Sequence, residues 1–384
     1  MTDTPVSTID LDAAATASWD AVVVGAGLAG SIAARGLARA GHRVLLVERT
    51  GFPRSKVCGC CLSSLATRTL EDIGLGELLD DCGARPLEEV HLFAGPRPAR
   101  VPIKGVYGLS RETLDARLAA AAVDSGAELL LHVRALVEDD GSVTLVAEGR
   151  SITVTASAVI LASGLRSHEK LEPARRDRSL VGVGALVPDP QHRHPEGVVG
   201  MVIDRDGYVG IAPLEDGRLT IASAVRAKAL KASSGSGDVV KRILEKADLD
   251  WLVQDTTRFT GVPALHRHRV AVQEDRLLAV GDAAGFVEPI TGEGMSWAIA
   301  TGAAVVPSAT ALIRRGPAAA DWANVYRRLM RRRHLRCSLV GSCIGRPRLV
   351  RTAVLASSLM PVLRAPVLSG LLGRFDPSIK GGIA

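Results

Sequence analysis

Aromatic residues make up only 3% of this 384-residue chain. A cavity inside it must therefore be walled mainly by aliphatic side chains. Six cysteines in a chain of this size do not make a disulfide framework, and with no export signal the expected setting is the reduced cytoplasm. The first eighteen residues have no basic segment followed by an apolar one, so residues 1–18 are expected to be a frayed tail and not a signal peptide. No apolar run reaches the length expected of a bilayer span. The cysteines and histidines lack the paired spacing of a metal site, so no metal is expected. Acid is missing from one long region: residues 322–375 hold eleven Arg and no Asp, Glu or Lys. The net charge of +6 therefore belongs to the C-terminal part. Neither a nucleic-acid reader fold nor a basic face with stacking aromatics accompanies it, which argues against nucleic acid as a partner.

The most informative stretch is Trp19 to Thr50. Asp20 to Val24 reads as a buried parallel strand. It runs into Gly25-Ala26-Gly27-Leu28-Ala29-Gly30 and an Ala-rich helix that Gly41 stops. A second strand, Arg43 to Val47, ends in Glu48. In such a unit the first Gly allows a tight turn, the second lets backbone approach a pyrophosphate, and the third lets helix pack on strand. The helix N-terminus offers free N–H groups to phosphate. Glu48 stands where a carboxylate accepts hydrogen bonds from ribose, and it would repel the 2′-phosphate of NADP.

Downstream, Arg54-Ser-Lys56-Val-Cys58-Gly59-Cys60-Cys61 returns toward this site. Cys60 and Cys61 read as small buried hydrophobes, whereas Arg54 and Lys56 are close enough in sequence to favour a Cys58 thiolate. Ser110 caps a helix that opens with Arg111. Ala158 to Ser163 is another buried strand, breaking at Gly164. Gly182-Val-Gly184 lacks the third glycine and the helix of a second fingerprint and reads as a strand with close backbone approach. From Val181 to Val225 the pattern alternates as in a half-buried sheet, with Glu215-Asp216-Gly217 as a hairpin turn. A last core strand ends at Gly281-Asp282, and Gly292-Glu293-Gly294-Met295 leads into a long Ala-rich helix.

These motifs resemble those of the FAD-dependent geranylgeranyl reductase and aromatic hydroxylase superfamily, almost end to end. The resemblance implies an α/β fold: a Rossmann-like FAD-binding domain of the glutathione reductase/p-hydroxybenzoate hydroxylase type, an inserted antiparallel β-sheet substrate domain and a helical C-terminus. The implied cofactor is FAD, held by Gly25, Gly27, Leu28, Ala29, Gly30, Glu48 and Arg49. Arg111 resembles the arginine at the pyrophosphate, and Asp282, after Gly281, the acid on ribityl or ribose hydroxyls. Gly292, Gly294 and Met295 resemble the loop at the pyrimidine side of the flavin, with Gly164 and Cys58 also beside the cofactor. Lys56-Val-Cys58-Gly59 and Pro289-Ile-Thr-Gly-Glu-Gly-Met295 are similar to reductase motifs. Tyr208 and Pro213 match the reductase substrate sheet, but Gly210 and Ala212 replace its two inner aromatics and widen the cavity.

The expected boundaries are 19–85, 106–170 and 270–310 for the FAD domain, 86–105 and 171–269 for the substrate domain, and 311–384 for C-terminal helices. The expected activity is hydride transfer from reduced flavin to a C=C bond of a hydrophobic isoprenoid, lipid or polyketide-like molecule. The alternative is a monooxygenase using NAD(P)H and O2. The candidate catalytic residues are Cys58, Tyr208 and Glu293, the last equally readable as a helix-start charge. With no second dinucleotide fingerprint, NAD(P)H or another electron donor must dock transiently. Arg327, Arg328, Arg331, Arg332, Arg333 and Arg336, followed by the apolar Thr352 to Leu363, read either as packed helices with a solvated Arg face or as a docking surface. The partner of such a surface would be a membrane, an acidic carrier or a redox protein.

Overall fold

The computed structural model describes residues 4–94, 98–165, 180–262, 271–286 and 289–344. The apolar stretch from Thr352 to Leu363 lies outside the described residues.

The chain visits a first sheet five times, the fifth as an antiparallel pair of strands that forms one edge. Strands β1 (Trp19–Val24), β2 (Val44–Val47), β6 (Glu128–Leu130), β10 (Ala156–Leu161), β16 (Gln273–Glu274) and β17 (Leu277–Ala279) stand in the order β16-β17-β10-β1-β2-β6. All pairings are parallel except β16 with β17. Parallel strands need covering on both faces, which explains why β1 and β2 read as unbroken apolar runs. Helices α2 (Leu28–Arg39) and α8 (Gly294–Arg315) cover one face, with Trp322 fully buried among them. The other face lies under a three-stranded sheet of β7 (Arg134–Val137), β8 (Val143–Ala147) and β9 (Arg150–Val154).

Contrary to the sequence expectation, α8 is long and apolar enough to cross a membrane. More than half of its apolar window is buried inside the protein. A Cβ on Gly302 would meet the Ala29 backbone oxygen at 2.4 Å, so α2 and α8 touch backbone to backbone. This is the packing of a core helix.

The second sheet has eight strands: β3 (Cys61–Leu62), β4 (Arg85–Phe93), β5 (Ala99–Gly108), β11 (Leu180–Pro188), β12 (Val198–Asp204), β13 (Gly207–Pro213), β14 (Arg218–Arg226) and β15 (Thr260–Val262). Their order is β15-β11-β14-β13-β12-β4-β5-β3. Gly182 and Gly184 do lie in a strand, and a Cβ on Gly184 would meet the Ile221 oxygen and Val57 Cγ1, both at 2.9 Å. Most pairings are antiparallel, but β12 runs parallel to β4. Period-two alternation gives the sheet two different faces. Val209, Ile211, Ile221 and Val225 pack with Val239, Val240, Ile243 and Leu244 of α7 (Ser236–Leu244). Tyr208, Gly210, Ala212 and Ala222 look the other way, into the cavity described below.

The smaller helices tie the parts together. α3 (Ser64–Asp72) and α4 (Leu78–Asp81) pack with α5 (Arg111–Asp124) on an outer cluster of leucines. α6 (Ala227–Lys231) follows β14 directly, and α9 (Trp322–Ile344) closes the described chain. The frayed N-terminal tail is corrected from Ser7 onward. Thr8 N donates to Leu129 O at 2.9 Å and Leu131 N donates to Ser7 Oγ at 2.9 Å, which ties the segment to the β6 edge of the first sheet. Helix α1 (Leu11–Thr16) follows, with the Asp10 side chain as its N-cap and Ala14 buried. The sheet edge needed backbone partners, and a short polar segment can supply them.

Candidate functional site

The β1–α2 turn is built by exclusion. A Cβ on Gly25 would lie 2.5 Å from Ala162 O, and one on Gly30 would lie 1.8 Å from Gly25 O. Gly25 also sits at φ +104°, a conformation side chains avoid. At Gly27 the surroundings differ. A Cβ there would meet no backbone but the cationic tips of Lys56, Arg111 and Arg54, at 3.5, 3.8 and 3.9 Å. Three cations thus converge on the N-terminus of α2, whose first N–H groups have no helical partners.

Asp115 holds those cations in place. Its side chain is fully buried. Arg111 binds it bidentately, through Nε at 2.8 Å and Nη2 at 2.9 Å, with Arg54 Nη2 at 3.3 Å and Lys56 Nζ at 3.8 Å. Burial pushes the Asp115 carboxyl up, but Arg111, Lys56 and Arg54 outweigh it and keep the group ionised below its ordinary range. The Lys56 side chain is open to the cavity yet enclosed by protein. Its burial and the neighbouring Arg111 bring the ammonium down to about 8. Three cations facing two carboxylates, Asp115 and Glu48, leave local positive charge, which suits a pyrophosphate.

Glu48 stands at the end of β2 and is engaged on both oxygens. Oε2 accepts from Ala26 N at 3.0 Å and pairs with Arg54 Nη1 at 2.5 Å. Oε1 accepts from Arg49 N, Thr50 N and Thr50 Oγ1 at 3.0, 3.2 and 3.1 Å. Arg54 Nη2 also donates to Ala26 O at 2.7 Å, whereas its buried Nε has no protein partner. The sequence expectation that Arg54 would favour the Cys58 thiolate is thus corrected: Arg54 is committed to Glu48, Ala26 and Asp115.

The cysteine loop is held between the second sheet and helix α8. Cys61 pairs with Gly108 as part of β3, Leu109 N donates to Cys60 O at 3.0 Å, and Thr220 Oγ1 donates to Cys58 O at 2.8 Å. Just beyond, Ser63 N and Oγ both donate to Ser296 Oγ on α8. Cys60 N points at Cys58 Sγ, 3.4 Å away. The Cys60 thiol beside it and then Arg111 hold the Cys58 thiol below its ordinary value, against burial. The same contact with Cys58, together with burial, raises Cys60. Burial and the Cys58 charge bring Cys61 to about 12. One of three neighbouring sulfurs is therefore set apart as acidic.

All of this opens on one cavity of 1720 Å³. Gly25, Gly27, Leu28, Ala29, Glu48, Arg49 and Arg111 wall its charged end. Gly164, Gly281, Asp282, Gly292, Gly294 and Met295 line its middle, and Cys58 faces it there. Burial raises the Asp282 carboxyl, with Arg111 and Lys56 opposing. Tyr208, Gly210, Ala212, Met201 and Ala222 form the floor on the second sheet. Two of the sequence candidates are not on the wall. Gly30 lies behind the turn, as its packing role requires. Glu293, at the N-cap of α8, sits outside the lining; burial raises its carboxyl and Arg333 of α9 opposes this. That is the helix-start reading of Glu293. Asp115 was missed as a functional residue, although its i,i+4 spacing from Arg111 on one helix was visible in the sequence. Among the described residues no cluster of three or more His, Cys, Asp or Glu could hold a metal ion.

A cation-ringed glycine turn, a carboxylate at the second strand and a long cavity fit an extended dinucleotide whose ring end reaches the second sheet. Comparison with known proteins agrees. The menaquinone reductase of Mycobacterium tuberculosis is 33% identical over 317 residues, spanning 74% of this chain and 75% of the relative. Digeranylgeranylglycerophospholipid reductase 1 of Methanopyrus kandleri is 31% identical over 315 residues, spanning 74% and 78%. A geranylgeranyl bacteriochlorophyll reductase-like protein of Thermoplasma acidophilum has the same fold, with a TM-score of 0.75, 20% identity, and coverage of 93% and 97%. A flavoprotein/dehydrogenase of Cytophaga hutchinsonii has a TM-score of 0.79 at 17% identity, covering 92% of both chains. A family profile for an FAD binding domain matches residues 18–334, which takes in the glycine turn, both sheets and most of α8 and α9. The chain is thus an FAD-dependent oxidoreductase, a member of the FAD binding domain family.

Proposed function

We propose that the protein reduces C=C bonds in a lipid-soluble, isoprenoid-bearing molecule. The observation that carries this reading is the continuity of the cavity. It runs from the cationic turn, past an acidic thiol, onto an apolar sheet floor. FAD, when bound and reduced, supplies the hydride. Arg54, Lys56 and Arg111 would neutralise its pyrophosphate, and Gly27 leaves the space for it. The sheet floor would align the apolar chain and exclude water, which strengthens local electrostatics. Cys58 would hold a proton at Sγ and deliver it to the carbon opposite the one receiving hydride, then recover it from solvent. An anionic group beside Arg111 weakens that cation's hold on the thiolate and so raises the fraction of protonated thiol. Tyr208, on the floor, would orient the substrate. The names of the two relatives, each referring to an isoprenoid-bearing molecule, support the substrate class. Reducing equivalents would come from NAD(P)H or another donor that docks transiently.

The test is turnover without oxygen. Chemically reduced protein is mixed anaerobically with polyprenyl quinone or polyprenyl phospholipid, and the product is read by mass spectrometry. Gain of two hydrogens per reduced bond is expected. A product formed only with oxygen present, and carrying an added oxygen atom, would replace this reading with the monooxygenase one.

A further inference from the structure

Helix α9 has one face committed to the protein and another that is not. On the inner face, Trp322, Met330, Cys337 and Val340 are buried. Trp322 Nε1 donates to Ala279 O at 2.8 Å, anchoring the helix to the first sheet. Val340 belongs to the same apolar cluster as Tyr208 and Ile290, which line the cavity. Cys337 Sγ lies 3.5 Å from Oγ1 of Thr291, another lining residue. The helix thus stands directly behind the substrate end of the site.

On the outer face, Leu335 and Leu339 are 61% and 59% exposed, one turn apart. Few other large apolar side chains among the described residues are as open. Exposed Arg331 and Arg332 precede Leu335 at i,i+4 and i,i+3 spacing, exposed Arg336 precedes Leu339 at i,i+3, and exposed Arg328 lies one turn further back. Asp321 pairs with Arg328 at 3.6 Å, at the start of the helix. Beyond it the sequence has no acid until after residue 375. Arg333 does not belong to this face: it is half-buried, donates to Leu329 O at 3.1 Å and faces Glu293. Two adjacent leucines within a ring of guanidinium groups match an interfacial helix, whose apolar side chains insert while its cations meet lipid headgroups.

We propose that this face of α9 docks on an anionic lipid bilayer. Docking would set the substrate end of the cavity beside the phase in which an isoprenoid substrate dissolves. The proposal depends on the proposed reaction for its purpose only, because vesicle binding is read without turnover and either can fail alone.

Full-length, FAD-loaded protein is co-sedimented with phosphatidylcholine vesicles, with and without phosphatidylglycerol. Binding is expected with the anionic vesicles, weakening as salt rises. Arg331→Gln with Arg332→Gln should weaken it roughly thirtyfold, from the usual contribution of two basic groups at an anionic surface. Leu335→Ser with Leu339→Ser should weaken it even at low salt, while FAD content and melting temperature stay unchanged. Equal binding to both vesicle types overturns the proposal, as does binding indifferent to the leucines. Three other occupants of the face have their own signatures in the absence of vesicle binding, and each overturns the proposal. Serine variants that turn an oligomer into a monomer would identify a second copy. Serine variants that lower the melting temperature would identify residues beyond 344. Salt-sensitive binding of an acidic carrier protein would identify that partner.

Discussion

At the glycine turn the cavity wall is charged and packed to contact, with Gly25, Gly30 and Ala162 sharing backbone space and Asp115 buried under three cations. At the second sheet the wall is mainly apolar, with small residues at its centre, where Gly210 and Ala222 are directly paired. The first end recognises a fixed ligand, so its groups are closely packed or ion-paired and little can change. The second end offers volume and few polar groups, so it selects by shape. Substitutions should therefore act on cofactor binding and stability at one end, and on substrate choice at the other.

The largest effect should come from Gly27→Val. A side chain there occupies the space between α2 and the tips of Lys56, Arg111 and Arg54. FAD should be lost, while circular dichroism of the apoprotein stays native because no backbone is struck. Retention of full flavin after gel filtration would break the comparison at its charged end.

Asp115→Asn should come next. Removing one charge from a buried ion cluster leaves the others uncompensated, typically costing about 3–5 kcal/mol in urea unfolding. The same group gives a pH signature. The Asp115 carboxyl is depressed in the folded protein, so its stabilising contribution is complete above the ordinary aspartate range and is lost as pH falls from there through the depressed folded value. The wild-type should lose stability on acidification more steeply than the Asn variant. Parallel pH profiles would show that Asp115 is not the hub.

Cys58→Ala should lower turnover about tenfold, or about 1.4 kcal/mol of transition-state stabilisation. FAD content should not change, and Cys60→Ala should have a smaller effect. Equal losses at the two positions would remove the distinction between the acidic sulfur and its neighbours.

The smallest effect on the protein itself is expected from Gly210→Phe. A Cβ there meets only ordinary contacts, Ala222 O at 3.5 Å and Met201 Cε at 3.7 Å, so the ring would extend into the cavity. FAD binding and melting temperature should hold while KM for the bulkiest substrates rises about tenfold, within the range of a pocket steric change. An unchanged substrate range would mean that the small-residue floor does not set shape selection.

Much of the charged end could be read in advance. Gly25 and Gly30 can be nothing larger, and Arg111 follows its Ser110 cap at the start of α5. Both are local facts of chain geometry, written in neighbouring residues. Asp115 was less visible, because an acid four residues after an arginine usually marks a solvated helix pair; only burial under Arg54 and Lys56 turns it into a hub. Glu215 is another such case. Its hairpin turn was legible, but its carboxylate also accepts from Ser110 N and Oγ and from Thr113 Oγ1, joining the β13–β14 turn of the second sheet to the cap of α5. The N-terminal segment looked structureless because its pairing partner, Leu129 to Leu131, lies more than a hundred residues away.

By itself the sequence determined the turn, the order of strands and helices around it and the apolar character of the sheet, since these follow from backbone sterics and short-range periodicity. Only the tertiary structure brought Arg111, from another element, to the Cys58 thiol that the sequence had already singled out, where it adds to the larger effect of Cys60. It likewise decided that α8 is a core helix, since burial depends on what packs against it, and that Arg333 faces inward while Leu335 and Leu339 face out. Charge and hydropathy are properties of a residue, but exposure and pKa depend on its neighbours, and most of those neighbours are distant in the chain.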